Sequence, residues 1–275
     1  MKIAIDSGHG LYTLGKRCLK SIDPKETREW VLNNRIATRV TELLAEYEDV
    51  ETLRLDDPTG KTDVPLSTRA AKANSWGADL LLSLHHNAGL YGKKGGGIVI
   101  FTYLTYSATE KALQKLLYNE LVARGGLTGR SEPLAKQNLA MVRDPKCDAL
   151  LIEYGFMDSI TDTPVILTAE YAENMAQGTV AALVKQYKLK KKEEEIDMTR
   201  VELEAIIDEK IQASEEKVYH YWSQLPSWAA KPVKAMYDAG YFAGSSPSDL
   251  NLGKTKMEIL VCIASVLKKQ GILTY

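Results

Sequence analysis

At 275 residues and 45% hydrophobic, the chain has room for one α/β domain of ordinary size plus a smaller appendage. Its formal net charge is −1, from 35 basic and 36 acidic residues, which excludes the broad basic surface that phosphate backbones demand and removes nucleic acid from the expected partners. No stretch approaches the ~20 apolar residues of a membrane span, and the first ten residues hold no secretory apolar core, so the expectation is a chain made in the cytoplasm without a signal peptide and without a membrane partner.

Short β-branched runs alternate with longer helical patterns, as in an α/β sheet covered by helices. In chain order the pattern predicts strand Lys2–Asp6, a helix from about Glu29 to Glu46, strand Glu51–Leu55, and a helix from Leu66 to Trp76. Strands Leu80–Leu84 and Gly97–Tyr103 follow, then a helix from Ser107 to Arg124, strand Ala149–Glu153, and a helix from Ala169 to Gln186. Lys188–Glu195, Lys-Leu-Lys-Lys-Lys-Glu-Glu-Glu, is a solvated charge run with nothing to bury and marks a domain boundary. The expected units are residues 1–187, a linker with a helix over 188–225, and a small helical module over 226–275.

Over 199–222, Leu203, Ile207, Ile211, Val218 and Tyr221 fall on one face of a single predicted helix. That stripe needs a partner, either the C-terminal module or a second copy in a homo-oligomer, although Lys210 and Ser214 interrupt a strict heptad seam. Beyond it, a helix from about Ser227 to Ala239 stops at Gly240, and a second starts at Thr255, with Thr255 and Glu258 at capping-box spacing. Fifty residues make a marginal core alone, so this module is expected to lean on the linker helix or another subunit.

The chain holds four histidines, and His9, His85 and His86 all sit at the ends of apolar strand patterns. In an open α/β sheet, side chains leaving several strands converge in the crevice outside the C-terminal strand ends. Gly8 and Gly10 flank His9 and permit a tight backbone path there. Glu29, at the start of the first long helix, offers a third ligand for a catalytic zinc that keeps one position for water. Glu153, ending its strand, supplies a second carboxylate for proton transfer. His85 and His86 compete, since neighbours on an extended segment point opposite ways, and Glu26 competes with Glu29. Arg69 and Arg143 fit either a substrate carboxylate or a structural ion pair. Cys18, Cys147 and Cys262 lie far apart, in none of the metal-ligand spacings, and read as free thiols.

Four segments carry a family resemblance: Ile-Ala-Ile-Asp-Ser-Gly-His-Gly at 3–10, Glu29 with Asn33, Ile36 and Ala37, Arg69 and Asn74 leading into Ala-Asp-Leu-Leu-Leu-Ser-Leu-His-His-Asn-Ala at 78–88, and Ala-Leu-Leu-Ile-Glu-Tyr-Gly-Phe-Met at 149–157. In order and in spacing they resemble the amidase-3 family of zinc N-acetylmuramoyl-L-alanine amidases over roughly residues 1–187. The resemblance implies a twisted, mixed six-stranded sheet flanked by helices. It makes His9, Glu29 and His85 the zinc ligands and Glu153 the catalytic carboxylate. It also implies peptidoglycan as substrate, cut between N-acetylmuramic acid and L-alanine. His86 stands where the family more often has a small residue, and Asp158-Ser159 replaces a common asparagine; both departures bear on substrate preference or loop shape.

Trp-Ala-Ala-Lys-Pro-Val-Lys-Ala-Met-Tyr-Asp-Ala-Gly-Tyr-Phe-Ala-Gly at 228–244 and Asn-Leu-Gly-Lys-Thr-Lys-Met-Glu-Ile-Leu at 251–260 resemble a diverged S-layer-homology repeat, which implies attachment to a secondary wall polymer. A wall amidase without an export signal resembles a phage or prophage endolysin that reaches the wall after release. The alternatives are a sporulation-type autolysin, a non-catalytic wall-binding protein and a zinc carboxypeptidase. Lysine and glutamate codons are purine-rich, so the run before Met198 is also compatible with a ribosome-binding site and a second start.

Overall fold

The computed structural model describes residues 1–192, 218–243 and 250–275. The chain divides into two compact units, Met1–Glu193 and Glu194–Tyr275, with the division inside the charge run. The first unit is built on a mixed six-stranded sheet of β1 (Lys2–Ser7), β2 (Glu51–Arg54), β3 (Leu80–Asn87), β4 (Val99–Thr102), β5 (Leu134–Lys136) and β6 (Asp148–Phe156), in the order β2-β1-β3-β6-β4-β5. Strands β2, β1, β3 and β6 run parallel; β4 is antiparallel to β6 and parallel to β5.

Side-chain alternation with period two divides the sheet between two cores. Ile3, Ile5, Leu80, Leu82, Leu84, Leu150 and Ile152 pack under α1 (Glu29–Leu44), α3 (Ala108–Ala123) and α6 (Ala169–Tyr187). Ala4, Leu81, Ala149 and Leu151 form the opposite core with Ala73 of α2 (Leu66–Trp76) and with Met141 and Val142 of α4 (Ala140–Arg143). Helix boundaries follow local chemistry. Ser107 and Glu110 close a reciprocal capping box on α3, Thr168 caps α6, and α2 stops at Gly77, whose φ of 73° suits a residue without Cβ. A further turn of helix, α5 (Thr163–Ile166), follows β6.

Chain order runs from β1 outward to β2, then crosses back over β1 to β3. The strand order therefore reverses between β1 and β3, the place where an open sheet collects ligands. The predicted strand 97–103 shortens to Val99–Thr102, because Gly95, Gly96 and Gly97 all take positive φ. Strand β5 is a three-residue, mostly exposed edge, too short for alternation to announce it.

In the second unit, α7 (Ser227–Asp238) and α8 (Lys254–Lys269) share a core of Ala229, Val233, Met236, Met257, Leu260 and Ala264. Gly240 follows α7 at φ 74°, as the sequence indicated. Two expectations change. Most of the predicted helix over 199–222 lies outside the described residues, but its end is not helical: β7 (Val218–Tyr219) pairs antiparallel with β8 (Leu252–Gly253). A β-branched and an aromatic residue suit a strand, and Tyr219 is buried in the unit's core. Helix α8 starts one residue earlier than expected, with Gly253 at the N-cap and no side-chain cap, because the extended backbone of β8 runs directly into it. Among the described residues no helix is long and apolar enough to cross a membrane.

Candidate active site

The crevice at the β1/β3 switch point receives side chains from three elements. His9 lies just past β1 with φ 67°, an unusual backbone conformation for a residue with a Cβ. Every carbonyl around it is held. Arg69 donates from Nη1 to the Ser7 carbonyl (2.7 Å) and from Nη2 to the His9 carbonyl (3.0 Å), and Asn33 donates from Nδ2 to the Gly8 carbonyl (3.2 Å). The Gly8 N–H donates to Leu84 of β3 at 3.0 Å, which ties the turn to the neighbouring strand. Gly8 is required for space: a Cβ there would stand 2.0 Å from Cε1 of His85.

Glu29 is the first residue of α1, where the helix dipole favours a carboxylate, and its N–H donates to the Lys16 carbonyl at 3.0 Å. Its side chain is 1% exposed. Oε1 faces Nδ1 of His85 at 3.0 Å and accepts from the His86 backbone N–H at 3.3 Å. Oε2 is buried without a well-formed hydrogen bond, 3.3 Å from Nε2 of His9 and 3.7 Å from Nζ of Lys16. The ligand atoms of His9, Glu29 and His85 all lie within 4.8 Å of one another.

That donor set suits a borderline-soft divalent cation, which takes imidazole nitrogen and carboxylate oxygen in three-ligand sites with a fourth position free. Oε2 supports the fit: it is buried, makes no well-formed hydrogen bond and stands 3.3 Å from the His9 imidazole, an arrangement that a cation shared between the two would satisfy. Burial pushes the Glu29 carboxyl upward, but the His85 and His9 imidazoles outweigh it and hold the group ionised, well below the usual range. Desolvation likewise opposes charge on His85, and the hydrogen bond and charge of Glu29 more than offset it.

Glu153 stands outside this cluster, in β6, as the direct register partner of His85. Its Oε2 is buried without a hydrogen-bond partner. Desolvation raises its carboxyl to about 7; His85 and Lys16 pull the value down and Glu29 pushes it up. A carboxyl poised there can take a proton from water and return it near neutral pH.

Strand alternation separates the two adjacent histidines. His85 joins the crevice, whereas His86 turns toward α1, buried, with Nδ1 2.8 Å from Oδ1 of Asn33. Desolvation drives its pKa down to about 3, so the ring is neutral. Glu26 pairs with Arg17 at 3.2 Å, away from the cluster. Arg69 is fully buried and places all five N–H donors on Asp6, Ser7, His9, Asp63 and Val64. Arg143 is occupied by Asp144 and Asn138. The Arg69 guanidinium is therefore closed to a substrate carboxylate, whereas the Arg143 side chain stays 42% exposed.

Asp158, which the sequence flagged as a departure, shapes a loop. Its Oδ2 accepts the N–H groups of Gly89, Leu90 and Tyr91 at 2.8 Å each, fixing the segment that follows β3. The Asn33 bridge and the Arg69 fork had no signal beyond residue type and spacing.

Comparison with known proteins matches residues 3–185 to the Amidase_3 family, described as N-acetylmuramoyl-L-alanine amidase. The chain is similar to a sporulation-specific N-acetylmuramoyl-L-alanine amidase of Bacillus subtilis (strain 168), at 31% identity over 70% of each protein. It is also similar to an endolysin of Bacillus phage SPP1, at 29% identity over 68% of this chain and 66% of the other. Among solved structures, an N-acetylmuramoyl-L-alanine amidase from Clostridium difficile 630 superposes with a TM-score of 0.61 at 25% identity, covering 68% of this chain and 96% of that one.

Proposed function

The chain belongs to the Amidase_3 family of N-acetylmuramoyl-L-alanine amidases, and on that premise we propose that it hydrolyses peptidoglycan as a zinc enzyme, with His9, Glu29 and His85 holding the ion and Glu153 moving the proton. The bond cut joins N-acetylmuramic acid to the L-alanine of the stem peptide. One observation carries the zinc reading: the buried Glu29 carboxylate is set between two imidazoles, with Oε1 facing His85 and Oε2, which has no well-formed hydrogen bond, facing His9.

Zinc, when bound, lowers the pKa of a coordinated water toward ~7 and acts as a Lewis acid on the scissile carbonyl. The chain's own groups do the rest. The buried Oε2 of Glu153 accepts the proton of the attacking water and later delivers it to the departing alanine amine, the double duty of a base that becomes an acid. Glu29 is ready as an anionic ligand, since in the metal-free protein the neighbouring imidazoles hold its carboxyl ionised. Asp158 holds the segment that follows β3 through three backbone N–H groups.

We place this activity in an endolysin that reaches the wall on release from the cell, a role supported by likeness to the phage SPP1 endolysin. Likeness to the sporulation-specific amidase supports a second role, autolysis during sporulation. A holin gene beside the coding sequence favours the first; expression confined to the sporulating mother cell favours the second. Residues 226–275 we read as a wall-binding module, a reading supported by their resemblance to an S-layer-homology repeat and by the hydrophobic core they form together with Tyr219 and Leu225. Binding of full-length protein, but not of a chain ending at 193, to purified walls tests it.

Mass analysis of digested peptidoglycan tests the reaction. An amidase releases intact stem peptides bearing a free L-alanine amine; cleavage within the stem instead overturns the reading in favour of a peptidase.

A further inference from the structure

The three residues of the candidate metal centre ride on three separate elements, and each has a neighbour in one buried hydrogen-bonded chain. His86 follows His85 in β3, Asn33 lies one helical turn after Glu29 on α1, and Gly8 precedes His9 in the turn after β1. Nδ1 of His86 is 2.8 Å from Oδ1 of Asn33, and Nδ2 of Asn33 donates to the Gly8 carbonyl at 3.2 Å. His86 and Asn33 are both buried.

The hydrogen-bond network fixes the chemistry of this chain of contacts. A peptide carbonyl only accepts, so the Gly8 contact orients the Asn33 amide and leaves Oδ1 facing the imidazole. His86 must then donate from Nδ1. Its Nε2 is buried with no hydrogen-bond partner, an arrangement that polar burial disfavours and that packing alone does not require. The fold tolerates that orphaned nitrogen while keeping the opposite N–H on Asn33. His86 cannot itself join the cluster, since it points to the other face of β3, but its backbone N–H donates to Oε1 of Glu29.

We propose that His86 is a positioning residue which, acting through Asn33, locks the His9 turn and the Glu29 end of α1 to the strand that carries His85, and so sets the spacing of the three ligands before metal arrives. The inference rests on the zinc reading above. Removing a group that orients metal ligands from outside typically weakens metal binding about 10- to 100-fold.

The test compares full-length wild type with His86→Leu, which keeps a comparable volume without the donor, and with His86→Asn, whose side-chain NH2 stands as far from Cβ as Nδ1 does. Zinc affinity is measured by competition with a chromophoric chelator, and ligand geometry by the visible spectrum of the cobalt(II)-loaded protein. His86→Leu is expected to lose about tenfold or more in affinity and to shift the cobalt bands, with His86→Asn recovering most of both. Asn33→Ala, which removes both hydrogen bonds, gives the same loss and serves if His86→Leu does not fold. Wild-type affinity and spectrum in His86→Leu or Asn33→Ala, with only the melting temperature lowered, overturn the inference alone. A wild type that takes up no zinc overturns it together with the reading on which it rests.

Discussion

His85 and Glu153 face each other as register partners across the parallel ladder of β3 and β6, so the imidazole of the candidate metal centre and the carboxyl proposed to move the proton are placed by one pair of strands. Glu153 lies outside the three-residue cluster all the same. Glu153→Gln is therefore expected to bind zinc with wild-type stoichiometry while kcat falls about 10²- to 10⁴-fold, the usual worth of a positioned acid–base group. Metal analysis beside kinetics on purified peptidoglycan checks both halves.

Glu29 behaves in the opposite way. Glu29→Gln keeps the volume but removes the buried charge between His9 and His85. Zinc affinity is expected to fall at least about tenfold, and activity should return in part at high zinc. Equilibrium dialysis measures the first and zinc titration of the activity the second.

The pH dependence of the metal-free protein carries the sign of the Glu153 shift. Its folded-state pKa of about 7 lies above the ordinary value of 4.5, so the folded state prefers the neutral carboxyl. The resulting stabilisation is full below pH 4.5 and is lost as pH rises through about 7. Chelator-treated wild type should lose stability between pH 5 and 8 by on the order of 2 kcal/mol more than Glu153→Gln, read from urea melts at each pH.

Arg69 shows what the sequence could and could not convey. Its position after the start of α2 was visible, and so was the possibility of an ion pair; that three of its five donors would be spent on β1 and the turn after it depends on contacts 60 or more residues apart, to Asp6, the Ser7 carbonyl and the His9 carbonyl. Leaving Asp6 buried without its partner makes Arg69→Leu expensive, about 3–5 kcal/mol in denaturant unfolding.

The same division holds across the molecule. Short apolar runs in Lys2–Ser7, Leu80–Asn87 and Asp148–Phe156, buried on both faces as in a covered parallel sheet, made the main strands legible, and their common polar ends pointed to His9, His85 and Glu153. Strand β5 and the helical turns at Ala140–Arg143 and Thr163–Ile166 span three or four residues, less than the repeat that would reveal them. The choice between His85 and His86 needed strand parity, and the link from His86 to Asn33 spans 53 residues of sequence, which no local pattern encodes. At Val218–Tyr219 a helical stripe fitted the apolar spacing, yet pairing with Leu252–Gly253 determined the structure.

Asp158 gives a further expectation. Its carboxylate gathers three successive N–H groups of the loop after β3. Asp158→Ala should speed amide exchange at Gly89, Leu90 and Tyr91 by about tenfold or more, the equivalent of one charge-assisted hydrogen bond, while the β3 core amides stay protected. Hydrogen exchange followed by mass spectrometry resolves the two regions.

The central claim concerns which atoms meet at the switch point, and anomalous diffraction at the zinc edge from crystals of the zinc-loaded protein tests it most directly. One peak bonded to His9, Glu29 and His85, with Glu153 nearby but unbonded, is the predicted result. A peak held by other residues, or by Glu153 in place of Glu29, would contradict it.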